Sequence, residues 1–311
     1  MVNDGFHQVP VKDRLAVIYL QRHNDGIEQS VFGKFHRDRL LHCAIHLLSK
    51  HMNLTNTLDV FVFHGAGRPN ASIALRAAHP GIHVIPLPIV SEQWVRYPEQ
   101  FYHKDTDWEK DYLVMGQWRA LVPMALMHKL GYEYALMTDD DFQLTAPFPH
   151  NIVKTMREKG YIFASHTILK DHPSVTVGEA ELASFFIQSR KITPSPLLWE
   201  SCTPPNITGL YSSNAEDGRG FQRTILYGNF LTLKTGFLLQ PMVQDWVTLT
   251  ILSAGLDLGR WAEQGTIGTA RLMFSNATQT WVVSVTSQHD KGLEGSLARC
   301  PDHYYVVHPP P

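Results

Sequence analysis

What this 311-residue chain lacks narrows its function before any motif is considered. It has no apolar run near the ~20 residues that a membrane-spanning helix requires, so no membrane contact is expected within this sequence. Its opening residues, Met1-Val-Asn-Asp-Gly5, lack the basic and apolar regions of a secretory signal, so any N-terminal membrane anchor would lie outside the sequence. Lys and Arg number 27 against 29 Asp and Glu, and they form no stripe, which argues against a nucleic-acid partner. No CxxC pair or Cys/His zinc spacing occurs. No glycine-rich phosphate loop follows the first apolar run, which disfavours nucleotidyl transfer of the pyrophosphorylase kind. No internal repeat is visible, and low complexity is confined to His308-Pro309-Pro310-Pro311.

Cysteine is scarce, with three residues in all. Cys43 falls in a helical apolar pattern (Leu40, Leu41, Ala44, Leu47, Leu48) and reads as a small core residue. Cys202 and Cys300 lie in proline-containing loops, where a disulfide between them is open in an oxidising compartment. Four Asn-x-Ser/Thr acceptor sites start at Asn53, Asn70, Asn206 and Asn276. Roughly one or two would arise by chance, so four tilts the reading toward a secretory-pathway lumen, with coincidence and a cytoplasmic location as the alternative.

What is present is an ordinary globular balance of 44% hydrophobic and 18% charged residues. Short apolar, β-branched runs at 14–21, 58–64, 82–87 and 133–138 read as buried strands. Helical periodicity covers about 27–50 and 108–130, and Gly131 ends the second stretch. Strand and helix in alternation predict an α/β fold, a mostly parallel sheet flanked by helices. Beyond residue 146 the pattern loosens. Helices are expected near 149–159, 237–254 and from Arg260-Trp261 to about 274, with strands near 161–165, 226–233 and 280–286. Residues 192–223, rich in Pro, Ser, Thr, Asn and Gly, read as one long functional loop.

The most informative segment is Tyr134-Ala-Leu-Met-Thr-Asp139-Asp140-Asp141-Phe142, an apolar run that ends in three carboxylates. As a buried strand it puts those carboxylates at the edge where open α/β sheets bind ligands. Crowded carboxylates repel one another unless a cation neutralises them, and a divalent metal holding a diphosphate is one such cation. An acidic turn capping the next helix is the plainer alternative. His289, after the last expected strand, is a second candidate ligand.

Several segments, in order from about residue 14 to 301, resemble the fungal α-1,2-mannosyltransferases of glycosyltransferase family 15. Arg22-His-Asn-Asp25 resembles the family's Arg-Asn-x-Asp, and Ser91-Glu-Gln-Trp94-Val-Arg-Tyr97-Pro98-Glu99 its Glu-His-Trp-Ser-Tyr-Pro-Glu. Tyr112-Leu-Val-Met115 resembles Tyr-Arg-His-Met, and the spacing from Tyr112 to Asp139 matches the family's without a gap. Gly228-Asn229-Phe230 resembles Ser-Asn-Phe. The stretch from Gly255 to Arg260-Trp261-Ala-Glu263 resembles Gly-Gly-Phe-x-x-Glu-Arg-Trp-Gly-Asp. His289 and Cys300-Pro301 resemble the closing His-Pro-Pro and Cys-Pro. Departures accompany the likeness. Asp139-Asp140 stands where the family has Glu-Pro, Leu231 where it has a glutamate proposed as nucleophile, and Glu263 where it has Asp.

The resemblance implies a single GT-A domain over 1–311, with a donor half at about 12–145 and an acceptor half at about 146–311. It also implies a Golgi-resident, retaining transfer of mannose from GDP-mannose to a hydroxyl of an oligosaccharide or glycoprotein, dependent on Mn²⁺ or Mg²⁺. Asp139, Asp141 and His289 become the expected metal ligands. Arg22, Asp25, Tyr112, Asp139, Asp140 and Arg260 become donor-binding residues. Tyr112 and Glu263 become catalytic candidates, and Trp261 and Glu263 acceptor-binding ones. Trp94 is a further stacking candidate. Leu231 argues against a double displacement. A UDP-sugar donor (galactose or xylose) and a degenerate glycan- or nucleotide-binding scaffold are the rival readings.

Overall fold

The computed structural model describes residues 9–21, 27–30, 33–52, 55–65, 75–79, 81–89, 110–171, 175–211, 220–255, 262–289 and 300. The apolar runs of the sequence assemble into one seven-stranded sheet. Its strands are β1 (Leu15–Leu20), β2 (Leu58–Gly65), β3 (His83–Ile89), β4 (Tyr134–Thr138), β5 (Phe163–Ser165), β6 (Phe230–Lys234) and β7 (Thr280–Val282). They lie in the order β7-β5-β6-β4-β1-β2-β3. β6 alone runs antiparallel to its neighbours β4 and β5, and every other pairing is parallel.

Side chains alternate between the two faces of a strand, and both faces here are covered. Val17, Tyr19, Val60, Val62 and Leu136 pack on Leu41, Ile45 and Leu48 of helix α1 (Arg37–Met52). Ala16, Ile18, Phe61, Phe63 and Met137 share the other core with Trp118, Met124 and Met127 of helix α2 (Lys110–Lys129). Helix α3 (Ile152–Lys159) joins the first core; helices α4 (Glu179–Arg190), α5 (Pro241–Leu252) and α6 (Glu263–Phe274) join the second. Among the described residues, no helix is long and apolar enough to cross a membrane.

At the N-terminal edge of the parallel strands, Asp59 is fully buried and bonded from three sides. The Tyr132 hydroxyl donates to its Oδ2 over 2.5 Å, His83 Nδ1 lies 2.7 Å from its Oδ1, and Arg14 Nη1 lies 3.4 Å from Oδ2. An ionised carboxylate only accepts, so His83 is the donor in its contact.

Three expectations need correction. The helix expected over 27–50 is a hairpin, Ile27–Ser30 against Gly33–His36, followed by α1. Gly33 costs about 1 kcal/mol inside a helix, and Ile27, Val31 and Phe35 favour extended backbone. The long loop at 192–223 contains helices Pro196–Glu200 and Ile207–Tyr211, and Cys202–Thr203 pairs with Gly220–Phe221. Ser195 caps the first of these helices and proline opens it, so turn-rich composition here marks helix starts. Helix α4 carries no apolar period strong enough to have been anticipated. Finally, Cys300 pairs with Cys43, and Cys202 is a free, buried thiol. Its Sγ donates to the Leu198 carbonyl at 3.3 Å, and burial pushes its pKa up to about 11.

Candidate active site

β4 delivers Asp139, Asp140 and Asp141 to the C-terminal edge of the sheet. Just beyond, Gln143–Leu144 pairs antiparallel with Ser287–Gln288, which carries His289 back to the acidic turn. His289 Nε2 lies 3.2 Å from Asp141 Oδ1 and 3.8 Å from Asp139 Oδ2. One ligand atom from each of the three residues falls within 4.8 Å of the others, and all three side chains keep part of their surface open to solvent. Bonds of about 2.1 Å at right angles hold ligand atoms about 3 Å apart, so this set fits adjacent positions around one six-coordinate ion. Two carboxylates with one imidazole suit Mn²⁺ better than Ca²⁺.

The reversed strand β6 supplies the next segment. Because it runs against β4, its entry, Tyr227-Gly228-Asn229, lies at the same edge as the carboxylates. Thr138 Oγ1 donates to the Asn229 carbonyl over 2.8 Å, and Ser165 Oγ lies within bonding reach of the Thr167 and Tyr227 carbonyls. Aromatic rings line the seam. Phe142 and Tyr227 each contact both His289 and His166, and Phe142 also meets Phe230. Burial, and secondarily the nearby charge of His289, push the His166 pKa down, which keeps that ring neutral.

Sequence reasoning missed Arg119. This side chain projects from α2 and is 7% exposed. Its Nη1 donates to Asp139 Oδ1 at 2.8 Å, its Nη2 to the Gly228 carbonyl at 3.1 Å, and its Nε lies 3.4 Å from Glu263 Oε1. The available signal was a charged residue on the apolar face of a helix, between Trp118 and Ala120.

The other sequence candidates fall as follows. Glu263 opens α6 and is buried against Arg119; burial raises its pKa, and Arg119 opposes that shift. Asp140 is buried and near Tyr19, whose phenol is pushed far up by burial and then by the Asp140 charge. Leu231 is a core residue of β6, opposite Met137, and presents no functional group to the rim. Tyr112 lies in the first turns of α2, with its side chain outside the described residues. Arg22, Asp25, Trp94, Arg260 and Trp261 lie outside them as well. The acceptor asparagines Asn206 and Asn276 are exposed, each at a helix start; Asn53 and Asn70 are not among the described residues.

One further carboxyl is buried between α4 and α6. Glu179, on α4, accepts a bond from Thr269 Oγ1 at 2.9 Å, and a Cβ at Gly265 would come within 2.9 Å of its Oε2, so only glycine leaves the carboxyl room there. Burial pushes its pKa up to about 8, with the charge of Asp171 adding to the rise and the Thr269 bond opposing it.

No protein-family model and no curated protein matches the chain by sequence. Solved structures do match by shape. Core-mannan synthase A (CmsA/Ktr4) from Aspergillus fumigatus, in its Mn/GDP form, superposes with a TM-score of 0.71 at 13% identity, over 89% of this chain and 74% of that one. The mannosyltransferase Ktr4p from S. cerevisiae gives 0.69 at 12% identity, over 91% and 72%. Its complex with GDP gives 0.66 at 13% identity, over 90% and 72%. The chain therefore has the fold of these fungal mannosyltransferases, the GT-A arrangement expected of it.

Proposed function

We propose that the protein is a metal-dependent glycosyltransferase that moves a sugar, with retention, from a nucleoside-diphosphate donor to a glycan hydroxyl. Mannose from GDP-mannose is the favoured donor, with a mannosyl acceptor and an α-1,2 linkage. The observation that carries this reading is the convergence of Asp139, Asp141 and His289 at the ligand-binding edge of a sheet whose fold matches a mannan synthase in its Mn/GDP form.

Asp139, Asp141 and His289 hold the ion, Mn²⁺ or Mg²⁺. When bound, it neutralises the charge that grows on the leaving diphosphate. Arg22, Asp25, Tyr112, Asp139, Asp140 and Arg260 are the donor-binding set, with Tyr112 and Glu263 as the catalytic candidates. Glu263 and Trp261 are the acceptor-binding candidates. Glu263 is buried with its Oε1 3.4 Å from Arg119 Nε, an ion pair that fixes the direction of the carboxyl. With Leu231 in the core, no carboxylate at that position can form a covalent glycosyl intermediate. The consistent route is front-face substitution, in which the sugar–phosphate bond breaks as the acceptor oxygen approaches from the same side. The departing phosphate oxygen then takes the acceptor's proton, which balances the reaction without a further base.

Residues 12–145 serve as the donor half and 146–311 as the acceptor half of one domain. The Cys43–Cys300 disulfide and the exposed Asn206 and Asn276 acceptor sites support a secretory-pathway lumen, such as the Golgi, as the working compartment. The test is turnover of a donor panel (GDP-mannose, UDP-galactose, UDP-xylose) with Mn²⁺ and mannosyl acceptors. Product from GDP-mannose alone is expected. Turnover of a UDP-sugar alone would overturn the mannosyl assignment. Binding of Mn²⁺ and GDP without turnover of any donor would overturn the enzymatic one.

A further inference from the structure

We infer that Arg119 is a positioning residue that restricts Asp139 to one ligating oxygen, so that the ion keeps room for two phosphate oxygens. The inference rests on the metal site proposed above and adds a residue and a task to it. Asp139 presents two oxygens with different surroundings. Oδ1 accepts the 2.8 Å bond from Arg119 Nη1, whereas Oδ2 faces His289 Nε2 at 3.8 Å. Arg119 cannot follow if Asp139 rotates toward an ion. Its other two contacts, the Gly228 carbonyl on β6 and Glu263 at the start of α6, hold the guanidinium from separate elements. A guanidinium is a planar fork with fixed donor directions, so these three contacts determine its orientation as well as its location.

The chemical consequence concerns coordination number. Mn²⁺ favours about six ligands. Single oxygens from Asp139 and Asp141 with one nitrogen from His289 fill three positions and leave three, enough for a diphosphate chelating through two oxygens and one water. If Asp139 closed on the ion through both oxygens, a position would be lost to the protein. The ion would then bind the empty protein at least as well and the diphosphate less well. Removing Arg119 also removes a positive charge, which acts in the same direction on ion affinity. A role confined to packing would instead weaken ion and nucleotide binding together.

The experiment uses the full chain without any sugar donor. Mn²⁺ affinity and the number of waters on the bound ion are read by electron paramagnetic resonance and water-proton relaxation. GDP is then titrated onto the Mn²⁺-loaded protein. For Arg119→Gln, the expected result is Mn²⁺ affinity within about threefold of wild type or tighter, one fewer bound water, and GDP binding weakened at least tenfold. Arg119→Lys keeps the charge but lacks the fork, and it is expected to fall between the two; it carries the test if the glutamine variant does not fold. Equal losses of Mn²⁺ and GDP affinity, or no change in either, overturn the inference and leave the metal site standing. A wild-type protein that binds no Mn²⁺ overturns the metal site itself, and the inference with it.

Discussion

Asp59 and Asp139 stand at opposite edges of one sheet, two strands apart in its order. The Asp59 side chain is shut off from water, and Tyr132, His83 and Arg14 converge on its two oxygens. One negative charge there meets donors drawn from three other segments. Asp139 is 28% exposed, shares its turn with Asp140 and Asp141, and has one oxygen bonded to Arg119 while the other faces an imidazole. The first carboxylate completes its hydrogen bonding within the fold. The second belongs to a group of acids that the fold crowds together and leaves partly open. Residues of the same type, placed by strands of the same sheet, are thus bonded into the fold at one edge and left partly open at the edge where such sheets bind ligands.

Four measurements can break that contrast. The largest effect is expected from Asp139→Ala combined with Asp141→Ala. Mn²⁺-dependent donor turnover should fall by at least about a thousandfold, with the folding transition little changed. A variant as active as wild type would remove the acidic turn from the mechanism. At the other edge, Asp59→Ala should leave Tyr132 and His83 without their acceptor and cost about 3–5 kcal/mol, read by urea denaturation. A loss below about 1 kcal/mol would mean the two edges do not differ in the way described. Third, Mn²⁺ at a hundred times its dissociation constant should stabilise wild type by about 2.7 kcal/mol and the double alanine variant not at all, seen as a shift in thermal midpoint.

The smallest effect concerns Glu179, a buried acid at neither edge. Its folded pKa of about 8 lies above the ordinary value near 4.5, so the folded protein holds a proton that the unfolded chain releases. Stability from this group is therefore complete below about pH 4.5 and is lost as pH rises through about 8. Glu179→Gln should flatten that decline and raise stability at pH 8 by roughly 1–3 kcal/mol. Parallel pH profiles for variant and wild type would show that the carboxyl is ionised in the folded state.

Much of the sheet could be read from the sequence because burial on both faces writes an unbroken apolar run. β1, β2 and β4 were each anticipated to within about a residue at either end. The acidic turn was legible for the same reason, since it ends such a run. Tertiary pairings were not. Cys43 looked like a core residue because its helix is apolar, and nothing local marks Cys300 as its partner. Arg119 was overlooked because a guanidinium in an apolar helix gains meaning only when Asp139, Gly228 and Glu263 arrive from three other segments. The hairpin at 27–36 escaped notice because its apolar spacing also suits a helix.

The pairing of Gln143–Leu144 with Ser287–Gln288 has a consequence for how the molecule comes into being. Positions 139 and 289 bracket nearly half the chain, and that short ladder brings them together. The cluster of Asp139, Asp141 and His289 is therefore complete only when the segment at 287–289 has joined the acidic turn. A truncated chain ending before residue 289 would keep both carboxylates and lack the imidazole.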